Sequence, residues 1–421
     1  MSIHNKVNSI KISSFSHLAA TYSQIHKMPP RGVRIAIDRG GTFCDFWAQI
    51  PGQEEVIFKL LSVFPEEYSD APTEGIRRIL ELATKTKIPP GTPLDLAPVE
   101  SIRMGTTVAT NALLERAGDP VVLVTTKGFR DLLKIGNQAR PSIFDLSVER
   151  LQKLYSKVLE VDERVTIEGF AEDPNPQSID IASDPALTEG LTGEAIRVLR
   201  VPDLDTVRRD LEAIWEEGFH SLAIAFVHSY TYPDHERAVA QVAREIGFKT
   251  LAVSSELQPM IKVLSRANSA VADAYLNPIT QTYLDGFRKN FKGELKDSAS
   301  ANKLLLSQSD GGLTTFSRFT GLRAILSGPA GGITGYAKTC YDEKDGTPVL
   351  GFDMGGTSTD VSRFSGAFEH VFETAIAEVS IQCPQLDINT VAAGGGSMLF
   401  WRNRMLVVGP ESAAANPGPA C

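Results

Sequence analysis

Two short stretches of this 421-residue chain are near copies: IAIDRGGTFCDF at Ile35–Phe46 and LGFDMGGTSTDV at Leu350–Val361. Both read Asp-x-Gly-Gly-Thr-x-x-Asp after an apolar run, and Asp38 and Asp353 lie 315 residues apart. An apolar run ending in such a turn reads as a strand entering a hairpin. Paired glycines carry no Cβ, so their N–H groups can approach a phosphate closely, and the threonine adds a hydroxyl donor. The aspartate at the strand end can hold Mg²⁺ through water or orient an attacking group. A single turn of this kind is as well explained by an ordinary glycine-rich hairpin. Two with identical spacing imply duplicated α/β domains, one turn in each, gripping a nucleotide in the cleft between them. Gly40, Gly41 and Thr42 then cradle phosphate from one side, and Gly355, Gly356, Thr357 and Ser358 from the other. Asp45 and Asp360 close the two motifs and either join this site or cap the hairpins through backbone hydrogen bonds. The P-loop pattern G-x-x-x-x-G-K-[ST] does not occur.

Composition excludes several classes. Net charge is −9, and no long Lys/Arg cluster marks a nucleic-acid face. Cys44, Cys340, Cys383 and Cys421 are far apart with no C-x-x-C pair, which argues against a disulfide scaffold or a cysteine zinc site and fits reduced thiols in the cytoplasm. No apolar run of about 18 residues suggests a membrane span. The first 27 residues are Ser-rich and free of Asp and Glu, as in a mitochondrial transit peptide, but they also lack Arg. Residues 1–31 are therefore expected to be a disordered extension, with mitochondrial targeting as the alternative.

Along the chain, helical spacing marks Thr73–Leu82. SIRMGTTVATNALLERAG reads as a strand, a Gly-Thr-Thr turn and a helix stopped by Gly118. DPVVLVTT is a buried strand. Phe170–Thr206, rich in Asp, Pro and Ser, reads as a surface loop or insertion. SLAIAFVHSY, PDHERAVAQVAREIGF and KTLAVSSEL then give strand, helix and strand, the alternation of an α/β fold. A domain boundary is placed near residue 260, dividing 32–259 from 260–421. Trp47 and Trp401 are expected to be packing residues.

The paired turns resemble the two phosphate motifs of the actin, sugar-kinase and heat-shock ATPase superfamily. RMGTTVATNALLER, TTKGFRDLLKIGNQARPSIFDL, EVDERV, AIAFVHSYTYPDHE, QSDGG, ILSGPAGG and PQLDINTVAAGGGS, in this order, resemble the hydantoinase A/oxoprolinase family from about Gly32 to Cys421. Cys44 stands where many relatives carry Thr. The resemblance implies ATP-driven opening of the lactam of 5-oxo-L-proline to L-glutamate. Phosphorylation of the carbonyl oxygen makes it a leaving group, and water then attacks the carbon. Asp38 and Asp353 are implied to contact Mg²⁺ through water and to orient the acceptor. Members of this kind are longer, so the second domain is expected to be truncated here. The adenosine-binding glycines and a hydantoinase-B-like half are then missing, and the complete protein is expected to be a homo-oligomer. An uncovered apolar sheet face should favour self-association.

Other candidates keep two readings. Gly328, Gly331 and Gly332 of SGPAGG lie near the nucleotide or start a tightly packed helix. The AAGGGS stretch at 392–397 is a backbone cradle or a tight turn. Thr106 and Thr107 hold an anion at a helix start or simply cap it. Arg140 pairs with a substrate carboxylate or with a surface acid. His228 and His235 ligate a metal or merely end a strand and begin a helix.

Overall fold

The computed structural model describes residues 31–137, 153–169, 179–356, 358–376, 379–391, 393–402, 404–413 and 418. The expected extension, apart from Arg31, lies outside them, as do Arg140 and Thr357.

Strands β1 (Val33–Arg39), β2 (Phe43–Gln49) and β3 (Val56–Leu61) form a meander covered by helix α1 (Ala71–Thr84), and β4 (Val99–Thr106) leads into the short α2 (Val108–Leu114). Next come β5 (Val121–Thr126), β6 (Tyr155–Val161), β7 (Arg164–Glu168), β8 (Leu187–Glu189) and β9 (Ala195–Arg200). Helix α3 (Leu204–Glu216), β10 (Ser221–Ala225), α4 (Asp234–Ile246) and β11 (Thr250–Val253) precede the long α5 (Val263–Arg288). Then follow β12 (Leu304–Ser307), β13 (Leu313–Thr314), α6 (Ser327–Thr339), β14 (Val349–Met354), β15 (Thr359–Phe364), β16 (His370–Ile376), β17 (Val379–Leu386), β18 (Ile388–Val391), β19 (Ser397–Arg402) and β20 (Met405–Ser412).

The first sheet has the order β13-β12-β4-β1-β2-β3. Its centre is parallel, β12 beside β4 beside β1, and its β2–β3 edge is antiparallel. Val33, Ile35 and Ile37 alternate into a core shared with Ile76, Ile79 and Leu80 of α1. Each aliphatic side chain so buried contributes roughly 1.5–3 kcal/mol. Helix α1 begins where Asp70 accepts the Thr73 N–H at 2.9 Å, a cap that satisfies an otherwise orphan donor.

The second sheet, β11-β10-β5-β6, is wholly parallel, and all six residues of β5 and all five of β10 are buried. The α/β reading therefore holds. Beyond the strands' carboxyl ends lies a buried polar network. Glu236 accepts from the Phe226 and Ser255 amides at 2.8 and 3.0 Å and from Ser254 Oγ at 2.6 Å. Arg266 of α5, 0 % exposed, donates to Ser254 Oγ, Met260 O and Phe226 O at 3.0, 2.8 and 2.6 Å. The boundary placed near residue 260 falls at this junction. Strands β12 and β13, from beyond it, return to the first sheet.

Several sequence expectations change. Phe170–Thr206 is not simply a loop, because β8 and β9 pair with β7 in an antiparallel sheet. Arg197 locks it, bonding Glu168 and, at 2.6 Å, Asp184. Helix α2 ends at Leu114 rather than at Gly118, and Arg116 takes a left-handed φ of 55°. Gly118 has a different reason: a Cβ there would stand 2.3 Å from the Tyr275 ring. Strand β10 stops at Ala225, because the Phe226 amide turns to Glu236 and His228 adopts φ 63°. Trp47 donates to Glu55 at 3.1 Å, but Trp401 is 69 % exposed and packs no core.

Candidate functional site

The two copies of the repeat fold alike. In the β1–β2 hairpin Asp38 stands directly opposite Asp45, and the Gly40 amide donates to Phe43 O at 2.9 Å. In the β14–β15 hairpin Asp353 stands opposite Asp360, and the Gly355 amide donates to Ser358 O at 3.0 Å. Gly40 and Gly355 are equivalent positions, as are Phe43 and Ser358. Moreover, the two tips meet. A Cβ added at Gly356 would lie 2.3 Å from Thr42 Oγ1, so only glycine permits this approach.

Like charges directly opposite on paired strands repel. The cleft holds two such pairs. Burial, with Asp353, Asp45 and Asp360 adding repulsion, pushes the Asp38 carboxyl up to about 6. Solvent reaches Asp38 from the cleft, yet a Cβ at Gly105 or Gly328 would lie only 3.4 or 3.5 Å from its Oδ1. Asp353 is raised by burial and then by Asp45, with Lys59 opposing. Asp360 is raised by burial, against the bond it accepts from Thr390 at 2.6 Å, and by Asp353. Asp45 is partly compensated by Lys59 at 3.1 Å. Burial also pushes the Cys44 thiol far up, leaving it an uncharged part of the core behind the turn.

Among the described residues no three His, Cys, Asp or Glu side chains converge closely enough to hold a metal ion. Asp38 and Asp353 could therefore hold Mg²⁺ only through its waters, the mode that ion favours.

Elements around Asp38 are tightly joined. Helix α6 begins at Ser327, whose hydroxyl donates to Thr106 O at 2.6 Å and is wholly buried. Thr107 N and Oγ1 both reach Arg39 O, at 3.1 and 3.2 Å, and Thr106 Oγ1 accepts from Val108 N at 3.3 Å. Thr106 and Thr107 thus brace β4 to the first turn and to α6. SGPAGG is the first part of α6: Gly328 lies beside Asp38 and Thr107, while Gly331 and Gly332 face open space. In AAGGGS, the Gly395 and Gly396 amides donate to Gly355 O and Gly356 O at 2.9 and 2.8 Å. That segment backs the second turn. His228 and His235 form no metal site among the described residues; His235 Nδ1 lies 2.8 Å from the buried Glu163. Sequence reasoning missed the Ser327 clamp, although Pro329 two residues on is a helix-start signal. It also missed Lys59 and Thr390, which no local pattern ties to the repeat.

Residues 34–247 match the family model described as the hydantoinase/oxoprolinase N-terminal region, and residues 266–421 match the one described as hydantoinase/oxoprolinase. The chain is 52 % identical over 397 residues to a 5-oxoprolinase of Saccharomyces cerevisiae, covering 93 % of this chain and 30 % of that protein. It thus spans about 30 % of the length of that curated relative. A crystal structure of an ATP-dependent caprolactamase from Pseudomonas jessenii superposes with TM-score 0.64 at 26 % identity, covering 92 % of this chain and 52 % of that one. A nucleotide-free acetone carboxylase structure superposes with TM-score 0.68 at 20 % identity, covering 91 % and 52 %, and shares the fold.

Proposed function

Since the chain belongs to the hydantoinase/oxoprolinase family, we propose that it is the ATP-binding part of an enzyme that opens 5-oxo-L-proline to L-glutamate. The observation that carries this reading is the meeting of two equivalent aspartate-headed hairpins at Gly356 and Thr42. The Gly40, Gly41 and Thr42 turn cradles phosphate from one side through its Gly41 and Thr42 amides, the Gly40 amide closing the hairpin on Phe43 O. The turn of Gly355, Gly356, Thr357 and Ser358 cradles it from the other, the Gly355 amide likewise closing its hairpin on Ser358 O, with Gly328, Gly331 and Gly332 at the α6 end of the cleft. Asp38 and Asp353 hold the waters of a Mg²⁺ ion, which neutralises phosphate charge when bound, and they orient the acceptor. Asp45 and Asp360, opposite them on the neighbouring strands, supply further negative charge. Segments 32–259 and 260–421 supply one turn each. Thr106, Thr107 and Arg140 stand as the weaker candidates on the substrate side. The reading carries with it a cytoplasmic homo-oligomer in which a hydantoinase-B-like half completes the hydrolysis.

Support comes from the 52 % identity to a 5-oxoprolinase and from the two structural neighbours, an ATP-dependent caprolactamase and an acetone carboxylase of ATP-dependent mechanism. The second reading is an ATP-dependent hydantoinase or ketone carboxylase subunit, favoured by those same neighbours. Isothermal titration with Mg·ATP tests the first step: binding that is lost in Asp38→Asn supports the cradle, and no binding by the unaltered chain overturns it. Phosphate release by the complete protein, stimulated by 5-oxo-L-proline and not by hydantoin or acetone, decides between the two substrates.

A further inference from the structure

The QSDGG motif takes no part in the cradle, yet it ends β12, which lies beside β4 in the same parallel array as β1. Leu306 and Ile37 both pair with Met104, so Ser307 and Asp38 stand at the same level. Two strand spacings separate them, roughly 10 Å. In open α/β sheets, ligands bind outside the carboxyl ends of the strands. Here that edge holds a small cleft of about 90 Å³ lined by Gln308, Ser309, Asp310, Arg323, Cys383 and Pro384. That is several times the ~10–15 Å³ one water needs, so a compact ligand has room.

The chemistry of the lining is specific. Gln308 is 6 % exposed, and its Nε2 has no hydrogen-bond partner among the described residues. A buried donor left unmade is costly, and such groups in native proteins have a reason. Asp310 uses Oδ1 to accept the Gly312 amide at 2.8 Å, which fixes the carboxylate at the mouth. Arg323 is exposed on the rim, and its guanidinium forms no ion pair among the described residues. Ser309 fixes the floor, accepting the Leu326 amide at 3.0 Å and donating to Arg323 O at 2.8 Å. Leu326 immediately precedes Ser327, the residue clamped to β4 beside Asp38.

We propose that this cleft is the binding site for a small cyclic amide bearing a carboxylate. Gln308 Nε2 donates to the ring carbonyl, Asp310 accepts from the ring N–H, and Arg323 pairs with the carboxylate. The site rests on the functional reading above and deepens it. It presents the carbonyl oxygen at the strand edge shared with Asp38, on the side where a phosphoryl group would be delivered. Cys383, whose thiol burial pushes up to about 12, forms an uncharged wall.

The test is calorimetric titration of the full chain with 5-oxo-L-proline, with 2-pyrrolidinone, which lacks the carboxylate, and with L-proline, which lacks the ring carbonyl. Mg·ATP titration of every variant and thermal melts control for folding. The unaltered chain should bind 5-oxo-L-proline more tightly than either analogue. Arg323→Gln should weaken 5-oxo-L-proline by up to about fivefold, the loss of a solvent-exposed ion pair, and leave 2-pyrrolidinone unmoved. Gln308→Leu should weaken both lactams, and the near-isosteric Gln308→Glu should do the same if Leu disturbs folding. Mg·ATP affinity should hold in all three variants. Retained Mg·ATP binding with 5-oxo-L-proline affinity independent of Gln308 and Arg323 overturns the site and spares the functional reading. Gln308-dependent binding of hydantoin, which has no carboxylate, tighter than that of 5-oxo-L-proline, overturns both the pairing of a carboxylate with Arg323 and the oxoprolinase reading.

Discussion

Replacing Gly356 with alanine tests the idea that the two turns must touch. The new Cβ would sit 2.3 Å from Thr42 Oγ1, 3.2 Å from Thr42 Cβ and 3.5 Å from its Cγ2. An unstrained contact needs about 3.5 Å, so either the hairpins part by about 1 Å or the threonine rotates. Rotation of the Thr42 side chain leaves the Cβ contact short. Overpacking of this kind costs roughly 1–3 kcal/mol. If the strain is relieved on opening the cleft, it falls on ligand binding, a loss of roughly 5- to 150-fold in Mg·ATP affinity. The assay is Mg·ATP titration of Gly356→Ala, Thr42→Ala and the double variant. Thr42→Ala removes the worst contact and leaves one at 3.2 Å that a shift of a few tenths of an ångström relieves. On the proposed cradle it also removes one phosphate donor, so alone it should weaken binding by about 1 kcal/mol. The double variant should bind better than the sum of the singles predicts, by about 1 kcal/mol of coupling. Unchanged affinity in Gly356→Ala, or strict additivity in the cycle, would refute the reasoning.

Further outcomes follow from the same geometry. Asp38→Asn should abolish Mg·ATP binding while raising the melting temperature of the ligand-free chain at pH 7.5, since it removes a carboxylate held against three others. A carboxyl raised in the folded state favours folding when protonated. The Asp38 contribution is therefore full below about pH 4 and is lost as pH rises through about 6, with Asp353 and Asp360 shifting in the same sense. The unaltered chain should accordingly lose Mg·ATP affinity as pH falls from 7 to 5, and Asp38→Asn should narrow the difference in melting temperature between those pH values. Ser327→Ala should remove the bond to the buried Thr106 carbonyl and lower stability by about 1 kcal/mol in urea titration. Leu350, Phe352, Leu399, Trp401 and Leu406 are each about 70 % exposed, so the chain should elute as associated species in size-exclusion chromatography; a sharp monomer peak would count against this.

What the sequence made legible was whatever short-range pattern controls. The repeat announced two hairpins, because Gly-Gly after an apolar strand accepts the tight turn that other residues resist. Helix α4 announced itself through Pro233 and Gly247, and the latter takes φ 114° as the left-handed cap. The β7–β9–β8 sheet was hidden, because its residues are only partly apolar and its lock is Arg197 reaching Asp184 and Glu168, 13 and 29 residues away. The Ser327 clamp spans 221 residues, and the contact of Gly356 with Thr42 depends on how two hairpins more than 300 residues apart are brought together. Neither is a property of any window of sequence.

The two turns, though copies, are held differently, and this bears on how the cleft works. The first is set in a six-stranded sheet, with its following residues braced by Thr107, Ser62 and, through Gly328, by α6. Ser62 Oγ donates to Gly40 O at 2.7 Å, fixing the glycine loop itself. The second is set in a three-stranded sheet whose leading strand is largely exposed, and its glycine carbonyls are held by the Gly395 and Gly396 amides. Fewer buried contacts mean a lower local cost of displacement. Asp353, Asp45 and Asp360 meanwhile add repulsion at Asp38. On the proposed function, a rigid turn facing a looser one across that repulsion should make closure depend on the charge of the ligand. Mg·ATP should therefore order β14 and β15 more than β1 and β2, seen as greater slowing of amide exchange at Val349–Phe364 than at Val33–Gln49. Equal protection of both hairpins on adding Mg·ATP would show that the asymmetry has no part in binding.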